Sequence, residues 1–375
     1  MLSFWEKNSF LNYDIIITGA GINGLSAACA IKEKYPEKSV LIIERGSWPL
    51  GASTRNAGFA CFGSFSEIRD DIEQNGMTKA LQLIEMRVRG MEVHNKRLDW
   101  AKMGYKATGG GELLFDDEPF ERDELEHMNA NLLPILKTTV FTEAKEKISE
   151  NGFAPHPIKT FISNRCEGQV DSGMLMYNLW QYAAGLGVMI MNGMEVIECN
   201  DTSNHCEVSA THNLIKETLV FKCQTLILTT NAFTRQFFPK LDVIPGRGQM
   251  LVTKPIEALK FEGIFHFRQG YYYFRNYGNL ILFGGGRNED MDVETTTNIG
   301  LNNGIQDKLD HYLQTLIIPG IPYEIDSRWA GIMAFGKDKT PIIERVSPNI
   351  IAGVRMGGMG VALSGIVSEK IAEMV

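Results

Sequence analysis

The sequence has 375 residues, of which 44% are hydrophobic and 22% charged, and its formal net charge is −8. This length exceeds what one hydrophobic core usually organises, so we expect two domains, and the negative charge argues against a nucleic-acid partner. No apolar run approaches the roughly 18 residues of a membrane span and the N-terminal stretch does not resemble a signal peptide, which predicts a cytoplasmic protein without a transmembrane segment.

The first predicted element is a strand, turn and helix. An apolar strand, "YDIIIT", leads into glycines in G-x-G-x-x-G spacing, and "LSAACAIKEKY" follows at helical period. Gly19 permits the tight turn, Gly21 leaves room for a pyrophosphate, and Gly24 lets the helix pack closely on the strand. The helix N-terminus attracts phosphate. We therefore assign cofactor contacts to this turn, at Gly19, Gly21, Ile22, Asn23 and Gly24.

A second strand, "SVLIIE", ends in Glu44, twenty residues past Gly24. A carboxylate at this place accepts hydrogen bonds from both ribose hydroxyls and disfavours a 2′-phosphate. We assign Glu44 and the adjacent Arg45 to the same site. The pattern predicts a nucleotide with an ADP moiety, and up to this point NAD and FAD both remain open.

The stretch "GASTRNAGFA", residues 51 to 60, follows "ERGSWPLG" directly. It resembles the flavin-side loop of the D-amino-acid-oxidase-like flavoproteins, a family that includes glycine oxidase and sarcosine oxidase. The resemblance implies FAD as the cofactor, with Ser53 and Thr54 at the pyrophosphate and Arg55, Asn56 and Gly58 beside the flavin. The alternative interpretation is an ordinary polar turn.

Later stretches extend the resemblance over nearly the whole chain. In "MEVIEC" it implies a backbone contact from Val196 to adenine, and in "TLILTTNAFT" it places Thr230 near the ADP. The glycine-rich end, "VRMGGMGVALSG", resembles the family's closing motif, whose backbone N–H groups and helix N-terminus face the flavin where negative charge develops. The alternative is a glycine turn that begins a surface helix. The residues assigned to this contact are Gly358, Met359, Gly360 and Val361.

We predict an α/β protein with a discontinuous, Rossmann-like FAD-binding domain. That domain comprises residues 1–78, 154–233 and 322–375. Residues 79–153 and 234–321 form a substrate domain, built on a mixed or antiparallel sheet with helices. The six cysteines and seven histidines show no metal-ligand spacing, so we expect no metal site.

The substrate domain contains a predicted hairpin, "GYYYFRNYGNLILFGGG". Alternation puts Tyr271, Tyr273 and Arg275 on one face, and a two-residue loop of Tyr277 and Gly278 would place Tyr271 opposite Gly284. We interpret the two phenols and the guanidinium as a catalytic pocket wall above the flavin. A surface pair beside an aromatic core explains the pattern equally well.

The predicted function is oxidation of a C–N bond in a small amine or amino acid, with hydride passing from the substrate carbon to flavin N5. No second G-x-G-x-x-G is present, so we expect the substrate itself to supply the electrons, with oxygen or a carrier as acceptor. The alternatives are a flavin-dependent dehydrogenase or oxidase of a hydroxyl compound, such as a polyol phosphate or hydroxy acid, and an FAD-binding protein without turnover.

Two departures from the family refine this prediction. The family's amino-acid oxidases carry a carboxylate-binding arginine in a "WAG-apolar-Arg-Pro" stretch, and here "WAGIMA" has Met333 at that position. A thioether cannot hold a carboxylate, so either the substrate lacks one or Arg275 binds its anion. The histidine to which some relatives attach flavin corresponds to Asn56, which predicts non-covalent FAD.

Overall fold

The computed structural model describes residues 2–214, 216–257 and 259–375, and these residues form ten α-helices and eighteen strands. The helices are α1 (Phe4–Phe10), α2 (Ile22–Lys34), α3 (Phe65–Asn75), α4 (Met77–Leu98), α5 (Arg122–Leu136), α6 (Glu146–Glu150), α7 (Ser172–Gly185), α8 (Met291–Glu294), α9 (Asn303–Tyr312) and α10 (Gly360–Met374). The strands are β1 (Asn12–Thr18), β2 (Val40–Ile43), β3 (Phe59–Ala60), β4 (Gly110–Phe115), β5 (Phe141–Glu143), β6 (Ile158–Asn164), β7 (Gly168–Gln169), β8 (Met189–Met191), β9 (Met194–Asp201), β10 (Cys206–His212), β11 (Thr218–Leu228), β12 (Ile244–Thr253), β13 (Ile264–Phe267), β14 (Tyr272–Tyr277), β15 (Leu280–Gly285), β16 (Ile325–Phe335), β17 (Ile342–Ser347) and β18 (Ile350–Val354). None of the helices in these ranges is both long and apolar enough to cross a membrane.

The first sheet has the order β17-β18-β11-β1-β2-β8, and its strands from β18 to β8 run parallel. Ile15 and Ile17 of β1 pack against α2, α7 and α10. Ile16 points the other way, toward an antiparallel layer of β9, β10 and the first half of β11. Both faces of the parallel strands are therefore covered, which explains why β2 reads as an unbroken apolar run. The predicted α/β fold class is confirmed.

The second sheet has the order β16-β12-β15-β14-β13-β4-β6-β5. One of its faces packs on α9 and carries Tyr272 and Phe274, which are fully buried. Directly opposite residues in neighbouring strands point to the same side of a sheet. The other face therefore carries Tyr273 and its opposite residues His266 and Gly284, as the predicted alternation required for Tyr273.

The predicted hairpin exists, but the predicted register was wrong by one residue in the turn. Tyr277 pairs with Leu280, so the two loop residues are Gly278 and Asn279 rather than Tyr277 and Gly278. The first loop residue has φ +55°, a conformation that glycine adopts without the steric cost that tyrosine would have. As a consequence Gly284 lies opposite Tyr273, while Tyr271 precedes the strand.

The predicted domain boundaries remain a proposal. Segments from the beginning, middle and end of the chain build the first sheet, in agreement with a discontinuous domain. Two strands of the second sheet, β6 and β16, fall within the ranges assigned to the FAD-binding domain. A division by sheets would move them to the substrate domain.

Candidate cofactor and substrate site

The turn between β1 and α2 depends on two of its glycines. Gly19 has φ +92°, which L-residues with side chains rarely adopt. A Cβ on Gly24 would overlap the carbonyl oxygen of Gly19. Only a residue without a side chain lets the first turn of α2 approach the end of β1 this closely.

Glu44 lies at the end of β2 with only 8% of its surface exposed. One carboxylate oxygen accepts the backbone N–H of Ala20 and the other that of Gly46, each at 2.8 Å. Burial raises the pKa of Glu44, and these two hydrogen bonds oppose the rise. Each oxygen keeps lone-pair capacity for a ribose hydroxyl, so the geometry fits the predicted role.

The loop of residues 51–58 returns along the N-terminus of α2. The Ser53 hydroxyl accepts the backbone N–H of Ile22 at 2.9 Å, and a Cβ on Gly21 would lie 3.1 Å from the same oxygen. Ser53 thus satisfies one of the unpaired donors at the helix end. A phosphate at this place would meet a glycine backbone, a hydroxyl and the positive end of the helix.

The next three side chains of this loop donate hydrogen bonds to backbone carbonyl groups. Thr54 and Asn56 donate to carbonyl groups within residues 49–53, while Arg55 donates to the Leu50 carbonyl just before the loop and, across the molecule, to that of Ala330 at 2.8 Å. Asn56 also accepts the backbone N–H of Gly58. The cofactor contacts predicted for these residues remain proposals, and the observed hydrogen bonds fix the loop that would carry them.

A cleft opens at the carboxyl ends of β1, β2 and β11. This is where open α/β sheets bind their ligands. The predicted residues that line it are Gly19, Gly21, Glu44, Arg45, Ser53, Val196 and Thr230. Its glycine backbone, buried carboxylate and helix N-terminus match the pyrophosphate and ribose of FAD, so the site fits the predicted cofactor. Of the other predicted residues, Ile22, Asn23 and Gly24 lie behind its wall on the first turn of α2.

Sequence reasoning missed part of this cleft. Phe233 lies on its wall, and the guanidinium of Arg45 stands 4.5 Å from the centre of the Phe233 ring. Met194 and Glu195 also contribute, and Glu195 forms an ion pair with Arg45. The only sequence signal for Phe233 was its place just after the end of an apolar strand, because ligands bind at such strand ends.

The closing glycine-rich turn faces the second sheet. Gly357 and Gly358 have φ +56° and +81°, and α10 begins two residues later at Gly360. A Cβ on Gly358 would lie 3.5 Å from the Met333 sulfur on β16. The predicted flavin contacts at Gly358, Met359, Gly360 and Val361 remain proposals, with Met333 directly above the turn.

We call the face of the second sheet that carries Tyr273, Gly248 and Met333 the pocket face. A Cβ on Gly248 would lie 2.8 Å from the Met333 methyl carbon and 3.7 Å from the Tyr273 hydroxyl, so these two side chains converge over a glycine. Phe59 packs edge-on against Tyr273 and His266, at 5.9 and 5.1 Å between ring centres. Burial raises the pKa of Tyr273 to about 12 and lowers that of His266 to about 4. Both side chains are therefore neutral near pH 7.

Arg275 lies on the same face as Tyr273 but is 3% exposed. One guanidinium nitrogen donates to the carbonyl oxygens of Gly58 and Val170, each at 2.8 Å. Gly58 has φ +74°, and a Cβ there would overlap the Val170 carbonyl. The geometry therefore favours a structural role for Arg275, linking the flavin-side loop to β14, over the predicted anion clamp.

The three predicted catalytic residues thus occupy different environments. Tyr273 lies in the middle of the pocket face, Arg275 is enclosed beside it, and Tyr271 is 36% exposed at the rim. Their catalytic roles remain proposals, and Tyr273 is the one that the geometry favours.

A comparison with protein families gives one match, a family described as "DAO: FAD dependent oxidoreductase", over residues 14–374. The chain belongs to this family. It is therefore an FAD-dependent oxidoreductase, as the flavin-side loop and the closing motif had predicted.

The relatives agree with this assignment. The chain is 25% identical over 388 residues to "Probable oxidoreductase OrdL" from Haemophilus influenzae, covering 96% of this chain and 82% of that protein. Among solved structures it resembles L-proline dehydrogenase from P. horikoshii, with a TM-score of 0.75, 18% identity and coverage of 97% of this chain and 93% of that one. Glycine oxidase from Geobacillus kaustophilus gives a TM-score of 0.75 at 19% identity, covering 97% and 95%. At such identities the structural likeness shows the fold alone.

Proposed function

We propose that this enzyme oxidises a C–N bond of a small amine or amino acid, with FAD supplying the hydride acceptor at flavin N5. The observation that carries the proposal is the convergence of Tyr273 and Met333 on the pocket face, where the Met333 sulfur also lies 3.5 Å from a Cβ placed on Gly358 of the closing turn. Proteins of similar fold include a glycine oxidase, a proline dehydrogenase and an iminodiacetate oxidase. Each of these names describes an enzyme that acts on an amino or imino acid.

The protonation states on the pocket face favour an amine over a hydroxyl substrate. Oxidation of an alcohol requires a group that accepts the hydroxyl proton, whereas a neutral amine assists hydride departure with its own lone pair. Tyr273 is a protonated phenol near pH 7, and a histidine with a pKa of about 4 binds protons weakly. The chain's contribution is therefore positioning: Tyr273 and Met333, which meet over Gly248, orient the substrate.

The hydroxyl alternative has one observation in its favour. Nε2 of His266 is buried without a hydrogen-bond partner, so a bound hydroxyl that reached it would find an acceptor. Its weak basicity makes this the second candidate. An FAD-binding protein without turnover is the third.

Anaerobic bleaching of the bound flavin distinguishes these candidates. The panel comprises glycine, sarcosine, D-alanine and D-proline, uncharged secondary amines, longer amino acids and matched hydroxy acids. We expect bleaching by amines or amino acids and not by their hydroxy analogues. Bleaching by hydroxy acids alone would support the second candidate, and a flavin that none of these compounds reduces would support the third.

The electron acceptor and location are further proposals. We propose oxygen or an electron carrier as acceptor, a cytoplasmic location and, from the negative net charge, no nucleic-acid partner. Oxygen consumption, compared with reduction of an artificial dye during turnover of the same substrate, separates the two classes of acceptor.

A further inference from the structure

A second arginine lies over the pocket face. Arg287 begins a short 3₁₀ turn, separated from the end of β15 by Gly286, and its guanidinium carbon is 4.0 Å from the centre of the Phe335 ring. A Cβ on Gly246 would lie 3.3 Å from an Arg287 terminal nitrogen and would overlap the same ring. Gly246 and Gly248 are two residues apart on β12, so they share one side of the strand. Arg287 and Phe335 therefore cover the pocket face beside Tyr273 and Met333.

The guanidinium of Arg287 has no anionic partner. Within residues 2–214, 216–257 and 259–375, no group accepts a hydrogen bond from it, and it stacks on the Phe335 ring. Glu294 is close enough to act on its charge, but both Glu294 oxygens already accept hydrogen bonds from Arg247, at 2.9 and 2.7 Å. Gln249 and Asn302 donate to the same carboxylate. The charge of Glu294 is thus compensated on the opposite face of β12.

This environment favours the binding of an anionic ligand by Arg287. Arg287 is partly buried, and burial lowers its pKa. A desolvated cation without a counter-ion is unfavourable, and a bound anion relieves that cost. Arg275 also has a buried nitrogen, Nε, without a hydrogen-bond partner, but it is only 3% exposed and one of its terminal nitrogens is committed to two backbone carbonyls, so a substrate has less access to it.

We propose that Arg287 binds the anionic group of the substrate. It would do so in place of the family's carboxylate-binding arginine, which is Met333 in this chain. The inference rests on the proposed function, because it names the second recognition group of that substrate. It also sets the substrate's length. The region over Gly246 lies about 7 Å along β12 from the region over Gly248, where Tyr273 and Met333 meet. In this proposal the reacting carbon lies over Gly248 beside Tyr273, so the anion is several bonds away from it, as in an amine with a distal carboxylate and not in glycine or D-alanine.

Equilibrium binding of unreactive probes to the FAD-loaded protein tests this site. Isothermal titration compares hexanoate with hexanamide, which differ in charge and scarcely in size. We expect the wild type to prefer hexanoate, and Arg287→Ala to weaken hexanoate about 10- to 100-fold, the effect of losing one hydrogen bond to a charged group. Hexanamide should change less than about two-fold. Arg287→Lys should keep part of the preference, because it keeps the charge but loses the planar fork.

Arg89→Ala is the control, since Arg89 is a solvent-exposed arginine on α4, and it should match the wild type. Flavin content and Tm establish that each variant is folded, and Arg287→Gln replaces any alanine variant that is not. With an anionic amine that bleaches the flavin, Arg287→Ala should raise the half-saturating concentration far more than it lowers the limiting rate.

A wild type without preference for hexanoate, or a preference that persists in Arg287→Ala and Arg287→Gln, would overturn the inference. The probes carry no amine, so this result does not depend on which compounds are oxidised. If Arg287 binds hexanoate while no amine bleaches the flavin, the proposed function fails and the anion site stands.

Discussion

Arg275 and Arg287 approach the same sheet in opposite environments. Arg275 donates to the carbonyl oxygens of Gly58 and Val170 and is nearly inaccessible. Arg287 is partly exposed and stacks on Phe335. An enclosed guanidinium that donates to backbone carbonyls stabilises the chain, whereas a partly exposed one without acceptors is accessible to a ligand.

We expect Arg275→Ala to lower stability rather than substrate affinity. The Gly58 carbonyl would keep the N–H of Val170, but the Val170 carbonyl would lose the Arg275 donor. One buried unsatisfied group costs about 1–3 kcal/mol. Urea unfolding measures the change, with Arg89→Ala as the control. Unchanged stability together with weaker hexanoate binding would show that Arg275 binds the substrate anion, as the sequence had predicted.

Gly21→Asp should give colourless protein. The new carboxylate would lie at the N-terminus of α2 beside Ser53. There its negative charge would repel the pyrophosphate and its side chain would occupy part of the same space. Because aspartate is a good N-cap, the fold should persist, and far-UV circular dichroism should match the wild type. Gly185→Asp adds the same charge at an open position at the end of α7 and should stay yellow. Full FAD occupancy in Gly21→Asp would refute the site.

At the scale of elements, α4 and α10 are in unusually close contact. A Cβ on Gly90 would overlap the carbonyl oxygen of Ala362, and a Cβ on Gly365 would overlap that of Gly90. Because α10 begins beside Gly358, this contact fixes the helix end that faces the proposed flavin position.

Gly90→Ala should therefore separate the two helices. We expect a loss of about 1–3 kcal/mol in the free energy of unfolding, as for other overpacked contacts, and weaker FAD binding in a fluorescence titration. Gly185→Ala, with no atom within 4 Å of its added Cβ, is the control. A variant that binds FAD as the wild type does would show that α4 does not position α10.

The same helix pair should make stability depend on pH. His94 of α4 is fully buried and bonds the Ser364 hydroxyl at 2.8 Å, and burial, with a contribution from Arg97, lowers the pKa of His94 to about 3. The unfolded chain binds this proton near pH 6.5, so stability is present above pH 6.5 and falls as the pH decreases toward 3. His94→Gln should reduce the decrease in the free energy of unfolding below pH 6.5. His311→Gln, a variant at an exposed site, should not. Identical slopes for wild type and His94→Gln would contradict the assignment.

At the scale of the whole molecule, the cofactor cleft is assembled from segments around residues 18–53, 194–196 and 229–237, with Ile332 beyond them. FAD that binds all of these segments should stabilise the folded chain as a whole, by about 2.7 kcal/mol at a free concentration of 100 times its Kd. Thermal unfolding at increasing FAD concentration measures this gain.

The cofactor should leave the protein when this assembly is destroyed. Asn56 cannot attach flavin, and Cys61 is 6% exposed with its pKa raised by burial, so it is a poor nucleophile. Acid precipitation should therefore release all yellow colour into the supernatant. Colour that stays with the pellet would show a covalent link.

Several features were determined by the sequence because they depend on neighbours along the chain. The β1–α2 turn, the alternation of β14 and the glycine-rich start of α10 follow from periodicity and from the φ values that glycine permits. The two-residue turn at Gly278 and Asn279 could also have been predicted from the sequence, since glycine is favoured at the first position of such a turn. The family resemblance was read from the same local motifs and is confirmed by the match over residues 14–374.

The tertiary structure alone decided which arginine is available. Alternation put Arg275 on the correct face, but its partners Gly58 and Val170 are 217 and 105 residues away. Arg287 follows the predicted hairpin, and only the positions of β12 and β16 bring Gly246 and Phe335 beside it. A local pattern specifies the direction of a side chain, whereas the chain segment packed against it, and so the satisfaction of its charge, depends on long-range contacts that the pattern does not contain.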